Sequence, residues 1–354
     1  MEYILGMNIT AVKRRKERVH KNRTTYLALT EDECLHSLHL SREVVTEVCH
    51  LLADDLSSKS PSCPYSIPVA VRVKAALHFF ATASVQNPLS STGGISQPAV
   101  SGAIHGVSKA LVRHAADFIV FPNTHESQAN VKKEFKEKFG VPDVLGVVDC
   151  THVVLRAPID NAAEYINNER THSINVQIIC DASCKITQVY ANFPATTPDA
   201  TILEKSEIPS MFEKEPAPEG WLLGDTAYPL KTWLIPPFGR PKTKPELLFN
   251  IWHLEAFSAM DKTVGMLKKR FRCLDKPSGI QYSPQKVGMF FVASCVLHNM
   301  ALRHGCLEDV DEDTIKSVRR LDNAMHLPLS DLKTDSAAEL RRAQLAQEMC
   351  DHKL

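Results

Sequence analysis

No apolar run in this sequence approaches the ~20 residues that a membrane-spanning helix requires. The longest, "VGMFFVASCVL" over 287–297, reads as a buried helix, so no membrane association is expected. A surplus of charge is missing as well. The 41 basic and 41 acidic side chains cancel, leaving no global field toward nucleic acid, and any such contact must come from local patches. The ten cysteines follow no regular framework. "CDASC" sets Cys180 and Cys184 like one half of a zinc site, but no second Cys/His pair follows at suitable spacing. No signal peptide is visible, and scattered reduced thiols then suit a cytoplasmic or nuclear protein. A glycine-rich phosphate cradle is also lacking, which argues against a small-molecule phosphohydrolase.

What is present is a globular composition, 44% apolar and 23% charged, over 354 residues, enough for one large domain or two ordinary ones. Two basic runs stand out. "AVKRRKERVHKNR" reads by itself as a solvated helix face or an arm, and "LKKRFR" supplies Lys268, Lys269, Arg270 and Arg272.

The chain divides by pattern. Residues 1–30 form a basic arm, 31–140 a helical region, 141–305 a mixed region and 306–354 a helical tail. In "SREVVTEVCHLLADDL" the apolar positions Val44, Val45, Val48, Leu51 and Leu52 make a core-facing stripe. "VAVRVKAALHFFATAS" is a second helix. Next, Gly93 and Gly94 break the chain, Ser96 can cap a new helix, and Pro98 is tolerated in its first turn. Helix, glycine-containing turn and capped helix outline a helix-turn-helix, although many all-α bundles share that outline.

After Pro142 the pattern changes to β. "VLGVVDCTHVVLRA", "SINVQIICDA" and "ITQVYANFPA" read as three meandering strands, with "DASCK" as a hairpin turn. "DATILEKSEI" is helical, "GWLLGDTAY" a further strand, and "AFSAMDKTVGMLKKRF" an amphipathic helix. That succession is the order of an RNase H-like α/β fold, a mixed five-stranded sheet with flanking helices.

Four acids sit at telling places in it. Asp149 lies in mid-strand among valines, where a bare charge is expensive to bury. Asp199 opens a helix after the third strand, Asp225 ends the fourth, and Asp261 flanks the buried stripe Met260, Val264, Leu267 and Phe271. Lys268, seven residues on, projects from nearly the same angle as Asp261. Convergent carboxylates repel unless a cation lies among them, and hard oxygen donors suit Mg²⁺ or Mn²⁺. Each residue also has a plainer reading. Asp199 and Asp225 serve equally well as N-caps, Asp261 as a solvated helix residue, and Lys268 as a surface lysine. Asp149 has no routine structural role.

The segments "GVVDCTHVVLRAP", "YINNERTHSINVQIICD", "WLLGDTAYPL", "FNIWHLEAFSAMDKTVGMLKKRFRCLD" and "SCVLHNMA", in this order, resemble the PIF/Harbinger transposases and the transposase-derived nucleases that descend from them. The resemblance spans roughly residues 70 to 305 and includes "GISQPAVS" at the helix-turn-helix. It implies a DDE/D nuclease that cleaves DNA with a divalent cation. Asp149, Asp225 and Asp261 would be its catalytic acids, and Asp199 a further ligand or an orienting residue. The 35 residues between Asp225 and Asp261 fit the family. Lys268, Lys269, Arg270 and Arg272 would meet phosphates. The resemblance further implies a Myb/SANT-like DNA-binding partner, with residence in nucleus and cytoplasm. Homo-oligomerisation is left open. The chain departs from the family at Asp261, where Glu is usual, at Phe257, where many members carry Arg, and at Gly102, often Arg. Those departures make a catalytically silent DNA-associated regulator or scaffold the alternative expectation.

Overall fold

The computed structural model describes residues 25–57, 66–84, 94–308, 310–315 and 335–352. The basic run near the N-terminus (11–23) and Gly93 lie outside the described residues.

The N-terminal third is helical. Helices α1 (Glu31–Leu38), α2 (Arg42–Leu51), α3 (Ala53–Leu56) and α4 (Val69–Thr82) bury apolar stripes against one another. Thr30 caps α1 through a reciprocal capping box with Glu33. Helix α5 (Gln97–Arg113) follows, with Ser96 at its N-cap position and Pro98 in its first turn. Both helices of the expected helix-turn-helix are present, the Ser96 side chain makes no capping hydrogen bond, and the linking residues 85–93 lie outside the described residues. The inner face of α5 is Val100, Ala103, Ile104, Val107 and Leu111, which leaves Gly102, His105 and Lys109 exposed. Short α6 (Ala115–Phe118) and α7 (His125–Phe139) lead to the sheet.

The sheet has the order β3-β2-β1-β4-β5. Strands β1 (Val144–Leu155), β2 (His172–Cys180) and β3 (Ile186–Pro194) form an antiparallel meander. After α8 (Asp199–Lys205) and α9 (Ile208–Glu213) the chain returns as β4 (Trp221–Leu223), parallel to β1, and then β5 (Leu234–Ile235), parallel to β4. These directions and this order are those of the RNase H-like fold. The turn between β2 and β3 closes where "DASCK" predicted it. Asp181 accepts from the amides of Ser183 (2.8 Å) and Lys185 (2.9 Å), and Cys184 takes the left-handed conformation, φ 65°.

Side chains alternate across β1, and two apolar clusters record the alternation. Val147 and Val153 join the large core on one face, with Met260, Val264 and Leu267 of α10 (Lys244–Arg270) and with α11 (Pro284–Arg303). Val148 and Cys150 join a smaller core on the other face, with Ile202, Leu203 and Tyr228. The last helix, α12 (Ser336–His352), packs on α10. Among the described residues no helix is long and apolar enough to cross a membrane.

Candidate active site

Strand β1 is central, and it outruns β4. The last paired residues of the two are Val147 and Leu223. Two positions further along each parallel chain stand Asp149 and Asp225. Strand β4 ends at Leu223, so Asp225 lies in the turn just beyond the stretch where β1 and β4 pair. Asp149 follows the alternation of Val147, toward α10. A Cβ on Gly224 would meet Leu234 at 3.0 Å and Tyr228 at 3.3 Å, both in the smaller core. Both acids are half-buried.

Local hydrogen bonds orient both carboxylates. Asp149 Oδ1 accepts from the amide of Cys150 at 2.8 Å. Asp225 Oδ1 accepts from the amide of Ala227 at 2.9 Å, the turn-forming reading of that residue. Helix α10 is pinned to the sheet on both sides of this pair. His253 Nε2 donates to the carbonyl of Gly224, next to Asp225, at 2.9 Å. Lys268 Nζ donates to Thr151 Oγ1 at 2.8 Å and to the His152 carbonyl at 3.0 Å. Thr151 lies two residues past Asp149, on the same face of β1.

Asp261 sits midway between the two pins. It projects from α10 only ~20° away from Lys268. At 7% exposure it is buried, which excludes the reading of a solvated surface residue. The four acids nevertheless do not form a ready cage. Among the described residues, no group of three or more His, Cys, Asp and Glu side chains is arranged to hold a metal ion. Asp carries one methylene fewer than the Glu usual at this helical position.

Asp199 is the first residue of α8, with Pro198 at the N-cap, so it does not serve as the cap itself. It is buried, and Asn175 Nδ2 donates to its Oδ1 at 2.8 Å. Asn175 pairs with His152 in the sheet. Asp199 also lies close to Cys150, whose thiol is pushed well up by burial first and by the Asp199 charge next. Cys150 bonds Tyr228 Oη at 3.3 Å. Asp199 therefore meets β1 from the side of the smaller core, opposite the side on which Asp261 and Lys268 lie.

The basic run corrects an expectation. Lys268 and Arg270 are 2% and 1% exposed and cannot meet a DNA backbone arriving from solvent. Lys268 is spent on β1. Arg270 donates to the Cys306 carbonyl and pairs with Glu308 at 3.5 Å, because the segment after α11 folds back over it. Lys269 and Arg272 remain exposed. Sequence reasoning missed His253 and Thr151 as pinning residues. The signal available for His253 was its position eight residues before Asp261 on a predicted helix.

A sheet of this order, with one acid on its central strand, one just past the neighbouring parallel strand and one on the covering helix, is the arrangement of a DDE-type nuclease core. Comparison with known families agrees: the family described as DDE superfamily endonuclease matches residues 148–299. The human protein named "Putative nuclease HARBI1" is 37% identical over 276 residues, covering 77% of this chain and 79% of its own length. Its Xenopus laevis counterpart is 34% identical over 300 residues, covering 84% of this chain and 86% of its own length. Protein ALP1-like of Arabidopsis thaliana is 23% identical, covering 93% of this chain and 84% of its own length. The chain belongs to the Harbinger transposase-derived nuclease family. No solved structure matches it.

Proposed function

We propose that this chain hydrolyses DNA phosphodiester bonds with a divalent cation, Mg²⁺ or Mn²⁺, held by Asp149, Asp225 and Asp261. The observation that supports the reading is that Asp149 and Asp225 each follow, by two positions, the last paired residues of the parallel strands β1 and β4. Carboxylates that approach one another repel unless a proton or a cation separates them, and their hard oxygens fit these ions. Such a cation, when bound, supplies an activated water and stabilises the leaving oxygen.

The chain's own residues hold that arrangement. The Cys150 and Ala227 amides orient the two acids, His253 and Lys268 fix the helix bearing Asp261, and Asp199 braces β2 through Asn175. Lys269 and Arg272 are the exposed cations of the run and would meet phosphates. Because Lys268 and Arg270 are turned inward, few cations remain here for autonomous recognition. That supports a separate DNA-binding partner of the Myb/SANT type. A DNA substrate calls for the nucleus as well as the cytoplasm.

The second reading, a silent DNA-associated scaffold, is favoured by one observation, the shorter side chain of Asp261. Full-length protein incubated with supercoiled plasmid and Mn²⁺, beside Asp149→Ala, separates the two. Nicked circles with the wild type alone support the nuclease. Absent nicking, or nicking equal in the variant, contradicts metal-dependent cleavage at these acids.

A further inference from the structure

Two cavities open side by side beyond the end of β1. One, of about 340 Å³, is lined by Phe79, Gln97, Arg156, Lys276 and Tyr282 among others. The second, of about 550 Å³, takes in Arg156, Tyr165, Gln281 and Tyr282. Because they share Arg156, Gln281 and Tyr282, they form one groove. It runs from the junction of α4 and α5 to the loop that follows β1.

The groove is fixed to the strand that carries Asp149. Ile280 forms a parallel bridge with Leu155. The Arg156 amide donates to the Ile280 carbonyl at 3.1 Å, and the Ile280 amide to the Val154 carbonyl at 3.4 Å. Gly279, at φ 68°, allows this close approach, since a Cβ there would stand 2.5 Å from the carbonyl carbon of Leu155.

Its lining holds both cations and aromatic rings. Arg156 and Lys276 line it, and Lys286 stands 5.9 Å from the Tyr282 ring centre. Asp160 is the one acid on the lining of the two cavities. Tyr282 is half-buried. Phe79 (5.7 Å) and Phe290 (5.0 Å) hold it edge to face, so its plane is set in advance. Tyr165 is half-buried in the second cavity. Cations beside pre-set aromatic faces suit a chain of alternating phosphates and exposed bases. A duplex keeps its base faces within its own stack and would gain only the charges. Arg156 is seven residues on from Asp149, just past the end of β1, roughly 23 Å, which places the groove a few nucleotides from that acid.

We propose that this groove binds an unpaired DNA strand beside the point of cleavage, an inference that rests on the nuclease reading above. The test uses full-length protein and a fluorescein-labelled single-stranded oligonucleotide, with the matching duplex in parallel. Binding is read by anisotropy in EDTA, so that it is separate from cleavage. Tyr282→Leu keeps apolar volume and removes the ring. Arg156→Gln changes an exposed side chain whose fold is easily checked by its melting temperature. The expected results are a loss of about tenfold in single-strand affinity for Tyr282→Leu, little change on duplex, and a salt slope lower by ~0.7 for Arg156→Gln. Wild-type affinity for the single strand in both variants, or an equal loss on duplex, overturns the proposal. Nicking with Mn²⁺ is scored alongside. If the variants lose single-strand binding while the wild type never nicks, the groove stands and the nuclease reading falls. If the wild type nicks and both variants bind and nick as it does, the groove falls and the nuclease reading stands.

Discussion

The ammonium of Lys268 donates to Thr151 Oγ1 at 2.8 Å, below the surface and on the face of β1 that carries Asp149. This bond joins the helix that bears Asp261 to the strand that bears the first acid. Lys268→Met removes the donor and leaves the His152 carbonyl without this partner. We expect a loss of about 2 kcal/mol in urea denaturation, with cleavage reduced because α10 is less firmly placed. A variant of wild-type stability that differs only in its salt dependence of DNA binding would return Lys268 to the role of an exposed phosphate contact.

Asp261 is one methylene short of the residue usual at its position. Misplacement of a ligand by ~1 Å can cost ~10²-fold in rate. Asp261→Glu is therefore expected to raise metal-dependent nicking at least tenfold. Filling a buried site brings a stability cost of about 1 kcal/mol. Nicking at or below the wild-type level would mean that reach is not what limits this acid.

Asp199 meets β1 from the smaller-core side, whereas Asp149 belongs to β1 and follows Val147 toward the other side, and that predicts different sensitivities. Asp149→Asn is expected to abolish stabilisation by Mn²⁺. Asp199→Asn, which keeps an oxygen for the Asn175 amide, is expected to retain most of it. Equal loss in both would make Asp199 a direct ligand. The readout is the Mn²⁺-dependent shift in melting temperature.

Three histidines are buried neutral. Burial lowers His152, His253 and His298 each to about 4. For His298 the geometry explains why: Nε2 donates to the Cys184 carbonyl at 2.9 Å, while Nδ1 is buried without a hydrogen-bond partner, so a proton there would gain no acceptor. The unfolded chain binds protons more readily, with histidine near 6.5. Their contribution is therefore fully present above about pH 6.5 and is lost as pH falls toward 4. Denaturation midpoints should fall across that window, and His298→Gln should flatten the fall. A midpoint independent of pH between 6.5 and 4 would contradict this.

Much of this was legible in the sequence, and for physical reasons. Asp149 drew attention because a mid-strand carboxylate among valines has no cheap explanation, and β1 is the central strand. The three-strand meander and the turn at "DASCK" followed from β-rich runs and a left-handed-tolerant link. The two-residue β5 escaped location, since so short a strand leaves no alternation to read. Lys268 and Arg270 were misjudged because a basic cluster at a helix end reads as solvated. Their burial depends on β1 beneath one and the segment carrying Cys306 and Glu308 over the other. Contacts so distant in the chain leave no local pattern. The same holds for the opposite approach of Asp199, which only the pairing of Asn175 with His152 reveals.

The central claim is that Asp149 and Asp225 together bind one divalent cation. Thermal unfolding of the full chain, titrated with Mn²⁺, tests it without requiring turnover, because a ligand selective for the native state raises its stability. The account predicts a saturable rise in melting temperature for the wild type. Asp149→Ala, Asp225→Ala and the double variant should lose it to the same extent. A rise that persists in either single variant, or none in the wild type at millimolar Mn²⁺, would contradict the claim.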